Sequence, residues 1–212
     1  MNADDILRLS ELGVATVYEA SGREGLIDAP LIQLLPNSRA AGPARTARCG
    51  QDDNLMVHAV MEHIQPGEVL VLCMPEPAPI ALIGEILATQ AKVRGAAAIL
   101  VDASVRDVEE LIELGLPIWT RFIRAKGATK TKIGELNKTV AVGGAQISPG
   151  DIIVLDADGG VCIKRERAED VLRASEQRLE REALLRNKLI AGEMTYDLHG
   201  LRDLVEKKGM RP

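Results

Sequence analysis

An α/β fold is expected for this chain on three observations. Good helix formers from Glu85 to Arg94 are closed by Gly95, and an apolar run without alternation, Ala96 to Val101, comes at once after it. That is the pattern of a helix leading into a strand covered on both faces. The same order returns at Val108 to Leu114, Gly115 and the strand-like Pro117 to Phe122. The chain has 212 residues, 46% hydrophobic and 27% charged, ordinary proportions for a globular protein that buries roughly 70% of its unfolded surface.

From the N-terminus, Asp4 to Leu12 has helical spacing at Ile6, Leu7 and Leu9, Gly13 ends it, and Val14 to Ala20 makes a second short helix. Leu26 to Leu35, with Pro30 inside and Pro36 beyond, reads as irregular or edge structure. Arg39 to Cys49 alternates weakly around Gly42-Pro43 and reads as a strand or a hairpin. Asn54 to Ile64 is next, an amphipathic helix with Leu55, Val57, Ala59, Val60 and Ile64 facing the core. Asp53 and Asn54 look like its N-cap, and His58 and His63 like helix-face histidines. Pro66-Gly67-Glu68 turns into the strand Val69 to Cys73, and three prolines between Met74 and Pro79 make a rigid approach to Gly84.

Beyond the central stretch, Arg124 to Lys138 carries Arg124, Lys126, Lys130, Lys132 and Lys138 with little apolar periodicity, so a solvated loop is the default. Thr139 to Lys164 holds short apolar runs separated by Gly143-Gly144, Ser148-Pro149-Gly150 and Asp156-Ala157-Asp158-Gly159, a β-meander pattern. Asp156 and Asp158 lack the ligand spacing and closing glutamate of a calcium loop. Arg165 to Ala191 is a long charged helix with an apolar stripe through Val171, Leu172, Leu179, Leu184, Leu185 and Leu189. Gly192 breaks it, and the tail carries Glu193, Tyr196 and a last short helix near Leu198 to Lys207. The expected division is one domain over residues 1–191 and an arm over 192–212 that docks on a neighbouring subunit.

Composition excludes several functions. A net charge of −5 gives no general attraction to phosphate backbones or anionic membranes, and one Trp, two Tyr and one Phe leave little for stacking bases. No stretch reaches membrane-spanning length and Met-Asn-Ala-Asp-Asp is no signal peptide, so a cytoplasmic protein is expected. Cys49, Cys73 and Cys162, odd in number and set in apolar or strand-like runs, read as buried thiols of a reducing compartment.

The chemistry-bearing stretch runs from Gly84 to Asp107. The first N–H groups of its helix lack intrahelical partners, so the turn Gly84-Glu85-Ile86-Leu87 suits an anion such as a carboxylate. The next strand returns beside the helix start, which brings the loop Asp102 to Asp107 to the same end. Arg106 offers a charged fork for a carboxylate or enolate oxygen, and Asp107 a hard oxygen for Mg²⁺ or Mn²⁺. The bland alternative is a solvated pair, with Asp107 only capping Val108 to Leu114.

Gly-Glu-Ile-Leu at 84 to 87 followed by Asp-Ala-Ser-Val-Arg-Asp at 102 to 107 resembles the signature of the RraA-like family. Within it the chain looks most like the class II pyruvate aldolases acting on 4-hydroxy-4-methyl-2-oxoglutarate and 4-carboxy-4-hydroxy-2-oxoadipate. The likeness takes in Asp53-Asn54 with His58, Lys126-Gly127-Ala128-Thr129-Lys130, Pro149-Gly150-Asp151, Asp156-Ala157-Asp158-Gly159, and Ala191-Gly192-Glu193 before Tyr196-Asp197. It implies a layered β/β/α swivelling-domain fold with a C-terminal helical arm, assembled as a homotrimer or homohexamer, and an oxo-acid substrate. It also implies a site in which Asp107 holds Mg²⁺ or Mn²⁺ and Arg106 takes the keto oxygen. The backbone of Gly84, Glu85, Ile86 and Leu87 binds the carboxylate, Asn54 and Lys130 contact substrate, and Glu85 and Glu193 of an adjacent subunit orient metal waters. Oxaloacetate decarboxylation is the expected side reaction.

Two residues depart from the family pattern. Glu85 stands where Asp is usual, and Asp102-Ala103 where Asp-Gly is frequent. A Schiff-base mechanism would draw on Lys92 or Lys164, both of which read as surface lysines. RraA itself, a protein inhibitor of ribonuclease, gives the non-catalytic alternative. Such members lack the final acid of the signature, which is Asp107 here. Methyltransferase labels in this family find no glycine-rich cofactor loop in this chain.

Overall fold

The computed structural model describes residues 1–207, which divide into two compact units, 1–175 and 176 onward. In the first unit, α1 (Ala3–Leu12) opens on a reciprocal capping box, with Asn2 Oδ1 accepting the Asp5 N–H at 2.9 Å and Asp5 Oδ2 accepting the Asn2 N–H at 3.0 Å. The helix α2 (Val14–Ala20) has no side-chain cap of its own, and a distant carboxylate serves instead: Asp156 Oδ2 accepts the Val14 N–H at 2.9 Å. The chain continues through β1 (Ile32–Gln33), β2 (Ala40–Arg48), α3 (Leu55–Val60), β3 (Val69–Cys73), β4 (Ala81–Ile83), α4 (Glu85–Val93), β5 (Ala98–Val105), α5 (Val108–Leu114) and β6 (Ile118–Ile123). Then come β7 (Glu135–Leu136), β8 (Val140–Val142), β9 (Ala145–Ile147), β10 (Ile152–Asp156), β11 (Gly159–Ile163), a 3₁₀ turn (Arg165–Arg167) and α6 (Ala168–Ile190).

The expected α/β class is the observed one. Strands lie in the order β1-β6-β5-β3-β2-β10-β11, with β4 beside β5 and β7 beside β2. The centre β2-β3-β5-β6 is parallel, while β1, β10 and β11 pair antiparallel. Period-2 alternation splits the buried residues between two cores. Leu70 and Leu72 of β3 and Ile99, Val101, Ala103 and Val105 of β5 pack under the helices with Val57, Leu87, Ala88 and Leu111. Val69 and Val71 of β3, Ala98 and Leu100 of β5 and Trp119 of β6 face the other way, against the separate β8–β9 hairpin at Val140, Val142, Ala145 and Ile147. These are the β/β/α layers. With so few aromatics, burial of aliphatic side chains at about 1.5–3 kcal/mol each carries the fold. The buried Trp119 donates its indole N–H to Asp156 O at 2.8 Å.

Several boundaries differ from expectation for identifiable reasons. Of the strand or hairpin expected over residues 39–49, the strand is observed, as Ala40–Arg48: Ala40 to Pro43 pair with β10 and Ala44 to Arg48 with β3, so Gly42-Pro43 marks a change of neighbour, not a turn. The expected helix Asn54–Ile64 stops at Val60, where the His63 N–H closes a tight turn on Val60 O and Glu62 O is taken by Arg94. The strand expected over Ala96–Val101 is β5 and runs to Val105, absorbing Asp102 and Ser104. These polar residues suggested a loop, but Asp102 Oδ1 accepts from Arg121 Nε at 2.6 Å across the sheet and both are largely buried. Neither β4, three residues alongside the end of β5, nor β7 within the basic segment has a periodic signature of its own.

Cys49, Cys73 and Cys162 are free and buried, and burial pushes each thiol up to about 12. In the second unit the remainder of α6 is followed by α7 (Thr195–Leu198) and α8 (Leu201–Lys207), and Leu184, Ile190, Met194 and Leu204 are exposed. Among the described residues no helix is long and apolar enough to cross a membrane.

The Asp102–Arg121 pair yields a test. Burial raises the Asp102 carboxyl above its ordinary value and Arg121 opposes that rise. Arg121→Met strands the carboxylate, and the expected loss is about 3 kcal/mol at neutral pH. A carboxyl raised in the folded state penalises folding only where it must ionise. The loss should therefore nearly vanish as pH falls towards the unfolded value of about 4. Urea unfolding of both proteins across pH measures it.

Candidate functional site

A cavity of about 180 Å³ opens where four pieces of chain meet: the start of α3, the β4–α4 turn, the β5–α5 corner and the loop after β6. Because parallel strands β4 and β5 end side by side, with Ile83 opposite Val105, the next residues along each, Gly84 and Arg106, are neighbours. The Arg106 N–H bonds to Ile83 O at 3.2 Å and fixes this corner.

Asp107 has φ 59 and ψ 48, a left-handed conformation that costs a non-glycine residue roughly 1–2 kcal/mol. Its side chain does not cap α5. It turns back instead, and its Oδ2 accepts the Glu85 N–H at the start of α4 at 3.1 Å. The same oxygen lies 3.7 Å from Arg106 Nε, with the arginine side chain 50% exposed and the aspartate 39%. Two glycines make room for this arrangement. A Cβ on Gly84 would lie 2.3 Å from Asp107 Oδ2 and 3.2 Å from Arg106 Nε, and one on Gly127 would lie 2.9 Å from Arg106 Nη1. The guanidinium is threaded between two backbones that only glycine leaves open.

Opposite stand Asn54 and His58, four residues apart and so on one face of α3. Asn54 is buried, donates from Nδ2 to Leu82 O at 2.9 Å, and its enclosed Oδ1 has no hydrogen-bond partner among the described residues. The capping role expected of the Asp53-Asn54 pair belongs to Asp53, whose Oδ1 accepts the Leu55 N–H at 2.8 Å. Lys130 closes the cavity from the basic loop. Burial first, and Lys130 second, lower the pKa of His58 and favour its neutral form. Arg106 and Lys130 therefore outweigh Asp107, and the cavity favours an anion.

Of the expected site residues, Asn54, Gly84, Ile86, Leu87, Arg106, Asp107 and Lys130 line this one cavity. Glu85 takes part through its backbone, while its carboxylate accepts the Thr89 hydroxyl at 2.8 Å one turn along α4. Glu193 belongs to the second unit, where its N–H bonds to Lys188 O. His58, read first as a helix-face histidine and grouped with Asp53-Asn54 in the family resemblance, lines the cavity too, and its spacing from Asn54 is the local signal for that. Two further features have no local signature: Ala81 to Ile83 as a wall, and Asp53 as an anchor of the basic loop. Asp53 is wholly buried, and its Oδ2 accepts the Thr129 hydroxyl at 2.6 Å and the N–H groups of Thr131 and Lys132 at 2.6 and 3.1 Å.

Comparison with known proteins adds relatives to this geometry. The family model described as RraA-like, Aldolase/RraA, matches residues 14–162. A protein of Halalkalibacterium halodurans named "Putative 4-hydroxy-4-methyl-2-oxoglutarate aldolase" is 35% identical over 142 residues, 67% of this chain and 68% of that protein. The crystal structure of Streptomyces coelicolor RraAS2, described as an unusual member of the RNase ES inhibitor RraA protein family, superposes with TM-score 0.78. It is 28% identical, with 88% of this chain and 97% of that one covered. A Geobacillus kaustophilus protein described as an S-adenosylmethionine:2-dimethylmenaquinone methyltransferase gives TM-score 0.66 at 25% identity, covering 71% and 94%. The names given to these relatives thus differ across one fold, and the site has to discriminate between them.

The anchoring carboxylate predicts an acid response. Burial raises the Asp53 pKa, but hydrogen bonds from Thr129, Thr131, Leu55 and Lys132 outweigh it and hold the carboxyl below the usual range. A depressed carboxyl stabilises the fold above its unfolded pKa and stops doing so as pH falls through the folded value. Asp53→Asn is expected to cost about 1–3 kcal/mol at neutral pH. The difference from wild type should hold down to about pH 4 and shrink below it, as read by urea unfolding at each pH.

Proposed function

This chain is a member of the Aldolase/RraA family, and from that membership we propose that it is a divalent-metal-dependent aldolase. It cleaves 4-carboxy-4-hydroxy-2-oxoadipate or 4-hydroxy-4-methyl-2-oxoglutarate to pyruvate and a second oxo acid. The observation that supports this most is the convergence of Arg106, Asp107 and the first turn of α4 on one cavity.

Ile86 and Leu87 carry first-turn N–H groups without intrahelical acceptors, suited to the substrate's 1-carboxylate. Arg106 takes the 2-keto oxygen, and Lys130, with Asn54 beside it, faces the distal carboxylate. A base removes the proton of the 4-hydroxyl, the C3–C4 bond breaks, and its electron pair passes into the enolate of pyruvate. Protonation at C3 then releases pyruvate. Negative charge grows on the oxygen next to Arg106, where a fixed guanidinium is worth about 3–4 kcal/mol.

Among the described residues no group of three or more His, Cys, Asp or Glu side chains is placed to hold a metal. The donor set fits Mg²⁺ or Mn²⁺ all the same, since these ions accept one or two carboxylates and keep several waters, and Asp107 supplies one hard oxygen at the cavity wall. Such an ion supplies fixed positive charge beside the keto oxygen. Glu193 of a neighbouring copy, in a homotrimer or homohexamer, would orient waters on such an ion, and Glu85 of this copy would join it once its carboxylate lets go of the Thr89 hydroxyl it accepts in this structure. Loss of CO₂ from oxaloacetate leaves the same enolate, so that acid is decarboxylated too.

The similarity to the Streptomyces coelicolor RraA-family protein favours a second reading, a non-catalytic protein-binding regulator of ribonuclease. Asp107 in the cavity has no part in it.

A coupled pyruvate-release assay on both aldol substrates, with a Mg²⁺ and Mn²⁺ series, decides. Arg106→Ala is expected to lower kcat by about 10²–10³-fold, and Asp107→Ala to abolish the response to metal. Turnover that survives chelator, with a pyruvate adduct trapped by borohydride, sinks the metal mechanism. No turnover of either acid, joined to copurification with a ribonuclease, establishes the regulator.

A further inference from the structure

The segment 124–134 that closes the cavity has almost no core of its own. Ile133 is 85% exposed, and Lys126, Thr129, Lys130 and Lys132 all face solvent. Segments with so few apolar contacts open readily. Three cations within seven residues, Lys126, Lys130 and Lys132, add mutual repulsion, and Lys130 also disfavours a proton on His58. Something must hold this chain over the cavity.

The hydrogen bonds identify the holder. Asp53 Oδ2 gathers the Thr129 hydroxyl and the Thr131 and Lys132 N–H groups, so Lys130 is gripped through the residues on both its sides. The backbone adds two short bridges: Thr129 N–H to Asp52 O and Asn54 N–H to Thr129 O, each at 2.9 Å, and Ala81 N–H to Lys126 O at 2.8 Å. Lys132 Nζ also donates to Gln51 O at 2.7 Å, but only the carboxylate grips both neighbours of Lys130. Through its other oxygen the same carboxylate fixes the start of α3, which carries Asn54 and His58. Asp53 itself is not part of the cavity wall.

We propose that Asp53 is a positioning residue. A single buried anion sets the Lys130 wall and the Asn54–His58 wall at a fixed separation, and so makes the cavity selective for oxo acids that carry a second, distal carboxylate. This role rests on the reading of the cavity as an oxo-acid site. It goes beyond that reading by assigning selectivity to a residue that touches no substrate. A carboxylate that serves only as a helix cap would instead affect all ligands alike.

The test compares a ligand with the distal carboxylate and one without it. Binding of 2-oxoglutarate and of pyruvate, each with Mg²⁺, is measured by calorimetry on the whole protein, for wild type, Asp53→Asn, Thr129→Val, Lys130→Ala and the Asp53→Asn, Lys130→Ala double variant. Thr129→Val removes one donor and leaves the carboxylate in place, so it covers the case in which Asp53→Asn folds poorly. Amide exchange of residues 127–132, read by mass spectrometry, reports the segment directly.

Asp53→Asn is expected to weaken 2-oxoglutarate about tenfold and pyruvate less than about twofold, with faster exchange at 127–132. Thr129→Val should shift both readouts in the same direction by less. Adding Lys130→Ala to Asp53→Asn should cost nothing further, since both remove one interaction. Equal weakening of both ligands, or faster exchange with unchanged 2-oxoglutarate affinity, overturns the proposal, as does a wild type that binds the two ligands equally. If wild type and the variants show the expected ligand differences yet wild type turns over neither aldol substrate, the reaction assignment falls and the role of Asp53 stands.

Discussion

Asp107 leaves the end of β5 in a left-handed conformation, and from there its carboxylate crosses to the first N–H of α4. That bond, together with the β4–β5 pairing and the Arg106 N–H on Ile83 O, ties two strand-to-helix corners that are 22 residues apart in sequence and adjacent in the parallel sheet. The cavity lies where they meet. Release Asp107 and the guanidinium beside it loses the partner that defines one side of its slot. Backbone strain at Asp107 fits this picture, since a residue held in a sparsely populated region persists only where its surroundings over-determine it. Gly84 belongs to the same constraint, since the carboxylate passes through the space its missing side chain leaves.

The sheet explains why chemistry gathers at this edge. Parallel strands β3, β5 and β6 all end towards the cavity side, and each gives way there to loop, where backbone groups and charged side chains are not committed to the ladder. The β/β/α layering keeps the two cores separate. The helical core supports α3 and α4, which bring Asn54, His58, Ile86 and Leu87 to the cavity. The hairpin core has no residue in it.

Periodicity made the helices α1, α2, α4 and α5 and the strand β3 readable to within a residue or two, because each has a Gly or Pro boundary and a regular apolar face. It failed where polar residues are satisfied by distant partners. Asp102 looked like loop because Arg121, which neutralises it inside the sheet, is 19 positions away. Gly42-Pro43 left a strand and a hairpin both open because a change of strand neighbour leaves no local signature. At the site, the Gly84–Asp107 stretch was visible as composition. The direction of the Asp107 side chain was not, since an aspartate before a helix ordinarily caps that helix. Asp53 escaped for the same reason: its cap on α3 is real, but the three bonds to the basic loop are tertiary.

The three thiols have a practical consequence. With each pushed up to about 12 by burial and sealed inside, the reactive thiolate is scarce at neutral pH. Alkylating reagents must then wait for the chain to open. The rate at which they consume this protein is a clock for unfolding events, and any cysteine engineered onto the surface would take up a fluorophore while its native counterparts stay silent.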